Sequence, residues 1–183
     1  MTVVRGRRLA LAATAALALT TAAGALKAEP DPTAGMVRLQ GAYANAEYGF
    51  RFSTPSGTTV LRARAPAPNH GGLVLLGPGR RIEVSAAFDA PGYGSTAALL
   101  AARLPATTAT PVRPRPARLG GRAAEAATYR KGAEVHLLVV RHEGDPDTGI
   151  NYTAELTSTF AAAPTDRAAF ARLLATFRFT PRE

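Results

Sequence analysis

Residues 45–57 read Asn-Ala-Glu-Tyr-Gly-Phe-Arg-Phe-Ser-Thr-Pro-Ser-Gly, and this stretch decides how the rest of the chain is interpreted. Tyr48, Phe50 and Phe52 alternate with charged or polar residues, which is the period of a strand with one buried face. The Pro-Ser-Gly that follows predicts a turn. The stretch therefore predicts a half-buried strand that contributes three aromatic side chains to a core.

The same period recurs on the carboxyl side of this stretch. Short turns rich in Gly and Pro separate the alternating segments, so most neighbouring strands are predicted to be antiparallel. Three prolines confine residues 110–118 to an edge strand or an extended loop. Further strands are predicted at 58–64, 73–76, 82–88, 122–130, 135–141, 150–160 and 177–180.

Two helices complete the pattern. Ser95 is placed to cap a short helix that carries Leu99 and Leu100, and Pro105 ends it. A second helix opens at Pro164-Thr165-Asp166, with an apolar stripe formed by Phe170, Leu173, Leu174 and Phe177. The predicted fold class is α+β, with a mostly antiparallel sheet of six to eight strands flanked by helices.

The amino-terminal segment has the layout of an export signal. Arg5, Arg7 and Arg8 precede an uncharged run from Leu9 to Ala25, and Ala23-Gly24-Ala25 is a small-x-small cleavage pattern. Cleavage after Ala28 is the second possibility, and an uncleaved membrane anchor is the alternative to cleavage. Both the general secretory and the twin-arginine routes remain open.

These features predict a signal peptide at 1–25, a linker at 26–40 and a single domain at 41–183. The predicted location is the periplasm or the extracellular space, with no transmembrane span after cleavage. The chain has 183 residues and no cysteine. Disulfide scaffolds, a cysteine nucleophile, a thiolate zinc site and a lipid-modified cysteine are therefore excluded.

The charge is +9, from 22 Lys+Arg against 13 Asp+Glu, which favours anionic partners. One interpretation is an anion-contact surface in the first half and the proline-rich segment. The alternative is an ordinary solvated surface in an arginine-biased composition. The candidate contact residues are Arg62, Arg64, Arg113, Arg115 and Arg118. Nucleic acid is not a predicted partner, because export and the lack of interleaved aromatic residues argue against it.

The sequence assigns no catalytic residue, no cofactor and no metal ligand. His142, Glu143, Asp145 and Asp147 form the densest acidic patch, which favours a solvated loop over a hard-cation site because the EF-hand spacing is absent. His136 and His142 share a strand face too far apart to bind one metal, and satisfied or exposed histidines are predicted. No Gly-x-Ser-x-Gly is present, although a hydrolase with an unrecognised site remains the alternative function.

The stretch at 45–57 resembles the opening of PsbP-like domains. Gly-Arg-Ala-Ala at 121–124 and Leu173-Leu174-Ala-Thr-Phe177 extend the resemblance over about residues 41–180. It implies an antiparallel sheet between helical layers, an α/β/α sandwich, and roles in binding or assembly. Bacterial envelope lipoproteins of this type carry a lipid-attachment cysteine, which this chain lacks. The matched motifs are scaffold, so no functional residue is carried over.

Together, these observations predict an exported, non-catalytic binding or assembly accessory protein of the cell envelope. The predicted partner is an envelope protein or an anionic surface component.

Overall fold

The structure is a computed structural model that describes residues 33–56, 58–62, 70–89, 92–106, 112–145 and 149–182. The predicted signal peptide, Arg64 and Asp147 lie outside these residues. The described strands are β1 Val37–Gln40, β2 Ala42–Asn45, β3 Phe50–Ser53, β4 Thr59–Arg62, β5 Gly71–Gly77, β6 Arg80–Phe88, β7 Arg115–Leu119, β8 Arg122–Lys131, β9 Glu134–Glu143, β10 Ile150–Thr159 and β11 Arg178–Phe179. The described helices are α1 Thr96–Arg103 and α2 Ala163–Thr176.

The described strands form two antiparallel sheets. The larger sheet has eight strands in the order β1-β4-β5-β6-β10-β9-β8-β7, and the smaller has three in the order β11-β3-β2. The predicted α+β class with a mostly antiparallel sheet is therefore confirmed. The proline-rich β7 lies at one edge of the larger sheet, where a missing N–H removes no internal hydrogen bond.

The opposite edge differs from the prediction. The sequence predicts a linker at 26–40, but residues 37–40 form β1 and pair with β4, with Leu39 opposite Val60. β1 has only four residues, which alternate between half-buried and exposed. Such a short and weakly apolar segment does not predict a strand by itself.

The opening stretch is divided between a turn and the smaller sheet. Tyr48, Phe50 and Phe52 are each no more than 2% exposed. The ring of Phe50 stacks on Phe177 at 5.5 Å and meets Tyr152 edge-on at 6.1 Å. The inner face of the small sheet thus packs on the large one, as the aromatic alternation predicts.

The larger sheet is covered on both faces at β9. Leu138 and Val140 pack against Leu99 and Leu100 of α1, while Val139 belongs to the aromatic core on the other face. This confirms that the continuous apolar run of β9 is a strand buried on both sides. Ser95 caps α1 as predicted, because its side chain accepts from the backbone N–H of Ala98 at 3.1 Å.

Helix α2 packs on the aromatic core through Phe170 and Leu173, and Phe177 follows as its C-cap. These three residues confirm most of the predicted stripe, whereas Leu174 is only half-buried at its margin. None of the helices in the described ranges is long and apolar enough to cross a membrane.

Candidate functional site

The structure describes four of the five arginines that the sequence proposes as one contact surface, and it separates Arg62 from the other three. Arg62 lies on β4, and Arg115 and Arg118 lie on β7, with five strands between them in the larger sheet. At about 4.8 Å per strand, this separation is on the order of 30 Å. Arg62 therefore cannot share a small ligand with the β7 residues.

The remaining three arginines are close together. Arg113, Arg115 and Arg118, which we call the β7 edge, are all exposed. Arg115 donates to the hydroxyl of Thr128 at 3.1 Å, and Arg118 donates to the carbonyl oxygen of Gly121 at 2.7 Å. Because Arg115 and Arg118 are three residues apart in a strand, they point to opposite faces. The β7 edge therefore presents positive charge on both faces of the strand.

Among the described residues of the acidic patch, His142 and Glu143 do not converge on one point. His142 is buried, and its two ring nitrogens face Asn151 Oδ1 at 2.9 Å and the carbonyl oxygen of Gly144 at 3.1 Å. Glu143 points to the opposite face, where it pairs with Arg122. Across the described ranges, no three His, Asp or Glu side chains form a group that could hold a metal ion.

His142 belongs to a buried network that also includes Asp89. Asn151 Nδ2 donates to Asp89 Oδ1 at 2.9 Å, and the backbone N–H of Gly94 donates to Asp89 Oδ2 at 3.1 Å. Burial raises the pKa of Asp89, but these hydrogen bonds and the nearby His142 lower it by more. The pKa of Asp89 therefore lies below its usual range. The network joins the end of β6 to β9 and to the segment before α1, which is a structural role.

A second network crosses three strands and contains the densest set of titratable side chains on the α1 face. Tyr129 Oη and His136 Nδ1 both lie next to Glu155 Oε1, at 2.8 and 2.9 Å, and His136 Nε2 lies 3.2 Å from Glu134 Oε2. The rings of Tyr129 and His136 stack at 4.6 Å. Burial, and then the hydrogen bond to Glu155, raise the pKa of the Tyr129 phenol.

This cluster has the residue types of acid–base catalysis, and Tyr129, Glu134 and Glu155 are partly exposed, but the hydroxyl beside His136 is buried. The neighbouring hydroxyl, Thr157 Oγ1, lies 3.5 Å from His136 Nδ1, and Thr157 is only 1% exposed. A nucleophile must reach its substrate, so this hydroxyl is not placed to attack one. His136 and His142 are both buried and hydrogen-bonded, which confirms the prediction of satisfied histidines.

No protein-family model matches the chain, and no curated protein sequence matches it. Two solved structures share its architecture. One is cyanobacterial PsbP (CyanoP) from Synechocystis sp. PCC 6803, with a TM-score of 0.50 and 14% identity over 80% of this chain and 93% of that chain. The other is LpqN of Mycobacterium tuberculosis, a protein involved in cell envelope biogenesis, with a TM-score of 0.50 and 14% identity over 80% of this chain and 92% of that chain.

The fold is PsbP-like. The resemblance stated for residues 41–180 is confirmed at the level of architecture, and the identity of 14% extends it no further. Within this PsbP-like domain, the sequence did not predict the Tyr129–His136–Glu155 network. The sequence does not show that these three residues are neighbours, because only the register of β8, β9 and β10 places them side by side.

Proposed function

We propose that the chain is an exported, non-catalytic accessory protein of the cell envelope that acts by binding. The observation that carries this proposal is the likeness to LpqN, which covers nearly all of that chain and most of this one. The export-signal pattern of residues 1–25 agrees with a place in the envelope. A PsbP-like architecture in which His136 and His142 are buried and hydrogen-bonded agrees with a role in contact rather than chemistry.

The β7 edge is the proposed contact surface for an envelope protein or an anionic surface component. Arg113, Arg115 and Arg118 are exposed, and none is ion-paired to a carboxylate of the described residues. Exposed cations without counter-charges attract anionic groups, and added salt weakens that attraction by shortening the Debye length from about 10 Å at 0.1 M to about 3 Å at 1 M.

The test is retention of envelope extract, and separately of anionic lipid vesicles, on immobilised protein across a salt gradient. A variant with Arg113, Arg115 and Arg118 all changed to Glu is compared with a control in which the exposed Arg38, Arg103 and Arg167 are changed to Glu. The two variants have equal net charge, so only the position differs. We expect the β7-edge variant to lose retention at low salt and the control to keep most of it.

Equal salt profiles for the two variants would show that the β7 edge is ordinary solvated surface and not a contact surface. The same protein is assayed against generic ester, glycan and peptide substrates. Turnover that survives purification would replace the binding role with the alternative, a secreted hydrolase.

A further inference from the structure

The small sheet brings two arginines directly opposite each other. β11 pairs with β3 in a register that places Arg178 against Arg51, and both side chains are exposed. Like charges in this position repel and weaken the strand pair. Neither arginine is in ion-pair range of a carboxylate among the described residues. The pair is therefore an uncompensated double positive charge on the outer face of the sheet.

The guanidinium of Arg178 is held in a fixed position. Its Nη1 donates to the carbonyl oxygens of Ala175 and Phe177 at 2.8 and 2.7 Å, at the end of α2. The negative end of the helix dipole favours a cation at this place. A guanidinium has five N–H donors in a planar fork, so the Nε and Nη2 donors of Arg178 remain for a ligand.

Two grooves meet at Arg178. The first has a volume of about 540 Å³, and its lining includes Arg51, Ser53, Arg178, Tyr43 and Phe52. The second, of about 480 Å³, is lined by Arg178, Arg118 and apolar residues of α2 that include Leu174. Arg118 is anchored in the same manner, through Nη1 to the carbonyl oxygen of Gly121.

We propose that Arg51 and Arg178 bind a phosphate monoester, with Arg118 and the apolar wall of the second groove contacting the remainder of the ligand. A phosphate monoester carries about −1.5 to −2 charges near neutral pH, which matches two guanidinium groups, whereas a carboxylate carries half of that. Its oxygens also suit the bidentate geometry of arginine. This site rests on the proposed function, because it names the ligand chemistry of an envelope-binding protein.

The site is tested by calorimetric titration of the full chain with glycerol 3-phosphate, with acetate as the carboxylate comparison. A parallel sedimentation assay uses phosphatidylcholine vesicles with and without phosphatidic acid, which carries the same group on a lipid. Arg51→Gln removes one proposed ligand contact and breaks no side-chain hydrogen bond among the described residues, and Arg103→Gln on α1 is the charge-matched control. We expect Arg51→Gln to weaken binding about tenfold or more and Arg103→Gln to leave it unchanged.

Arg178 is examined with two variants. Arg178→Gln removes both the charge and the fork, and Arg178→Lys keeps the charge alone. We expect the glutamine variant to lose binding and the lysine variant to recover only part of it, because lysine cannot donate bidentately. Thermal unfolding shows whether each variant is folded. If the Arg178 variants do not fold, the result for Arg51→Gln alone tests the proposed site.

If glycerol 3-phosphate binds and this binding depends on Arg51, a soluble phosphate monoester is sufficient to occupy the site. Binding to phosphatidic acid vesicles alone, with the same dependence on Arg51, identifies a lipid source. Failure of both probes to bind the folded protein, equal binding of acetate, or unchanged binding by Arg51→Gln overturns the site. If both probes fail while retention of envelope extract still depends on the β7 edge, the phosphate site is wrong and the proposed function stands.

Discussion

Asp166 is a charged residue that the fold places inside the protein, with its side chain 2% exposed. Arg80 contacts it with two hydrogen bonds, Nε to Oδ2 at 2.8 Å and Nη2 to Oδ1 at 2.7 Å. Ser158 donates to Oδ2 at 2.6 Å. Burial raises the pKa of Asp166, but these hydrogen bonds and the charge of Arg80 lower it more, so it lies below the usual 3.8.

A lowered pKa makes the contribution of Asp166 dependent on pH. Its stabilising effect is complete above the usual aspartate value and is lost as the pH falls through the lowered pKa. We expect Asp166→Asn to lower the free energy of unfolding by about 1–3 kcal/mol at pH 7, and the difference from the wild type to shrink steadily in acid. Urea titrations from pH 7 down to the acid transition measure both effects.

Glu83→Gln is the control for this prediction. Glu83 pairs with Arg81 at 3.3 Å, but the two side chains are 52% and 41% exposed. Such a pair contributes little, so the change is expected within about 0.5 kcal/mol. A difference between wild type and Asp166→Asn that stays constant down to the acid transition would contradict the assigned cause.

The turn between β7 and β8 contains a matched pair of glycines. Gly120 has φ +56° and Gly121 has φ +81°, so an alanine at either position is strained by about 1–2 kcal/mol. A Cβ on Gly120 would also lie 2.7 Å from the Phe179 ring, whereas a Cβ on Gly121 would meet nothing within 4 Å. We expect Gly120→Ala to be more destabilising by about 1–3 kcal/mol in denaturant titration. Equal losses would show that the Phe179 ring yields freely.

Helix α2 acts as the element that joins the two sheets. Its buried face packs on the aromatic core, and Thr176 at its end donates to the carbonyl oxygen of Ser53 at 3.2 Å and accepts from the Ser53 N–H at 2.9 Å. β11 follows immediately and adds the third strand to the small sheet. The position of α2 therefore fixes β11, and with it the opposition of Arg178 and Arg51.

The phase of α2 can be tested by truncating its side chains. Leu173 is fully buried, Leu174 is half-buried and Arg172 is exposed. We expect Leu173→Ala to lower the free energy of unfolding by about 2–5 kcal/mol, with a smaller loss for Leu174→Ala. Arg172→Ala is expected within about 0.5 kcal/mol. A larger effect at Leu174 than at Leu173 would mean that the helix is rotated from the position described.

At the scale of the whole molecule, residues from Thr33 onward form one compact unit, and β1 begins at Val37. Both predicted cleavage positions precede this unit, so removal of the export signal would leave every described strand intact. The folded domain and the predicted signal are thus separate along the chain.

Export itself is predicted from residues 1–25. We expect the intact mass of the protein recovered outside the cytoplasm to correspond to a chain that starts at Leu26 or Glu29. Changing Arg5, Arg7 and Arg8 to Glu is expected to retain the protein in the cytoplasm, since the positive segment orients the signal. Recovery of a chain that still starts at Met1 from the cytoplasm of the unmodified producer would disprove the prediction.

Much of the fold could be predicted from local pattern. The alternation of Tyr48, Phe50 and Phe52 and the double-faced apolar run of β9 each reflect a side-chain period that a strand has by itself. β1 escaped prediction because a short edge strand has few apolar residues of its own and exists through its pairing with β4. The apolar stripe predicts a buried Leu174, which is only half-buried, because a stripe in sequence does not show where the covering surface ends.

The sequence by itself determined most of the strand and helix segments, the excluded cysteine chemistry and the PsbP-like resemblance, because these depend on residue types at short spacing. Only the tertiary structure decided which distant residues meet. It separated Arg62 from the β7 edge, joined Tyr129, His136 and Glu155 across three strands, and placed Arg178 against Arg51. Register and strand order are properties of the whole assembled core, and no local period encodes them.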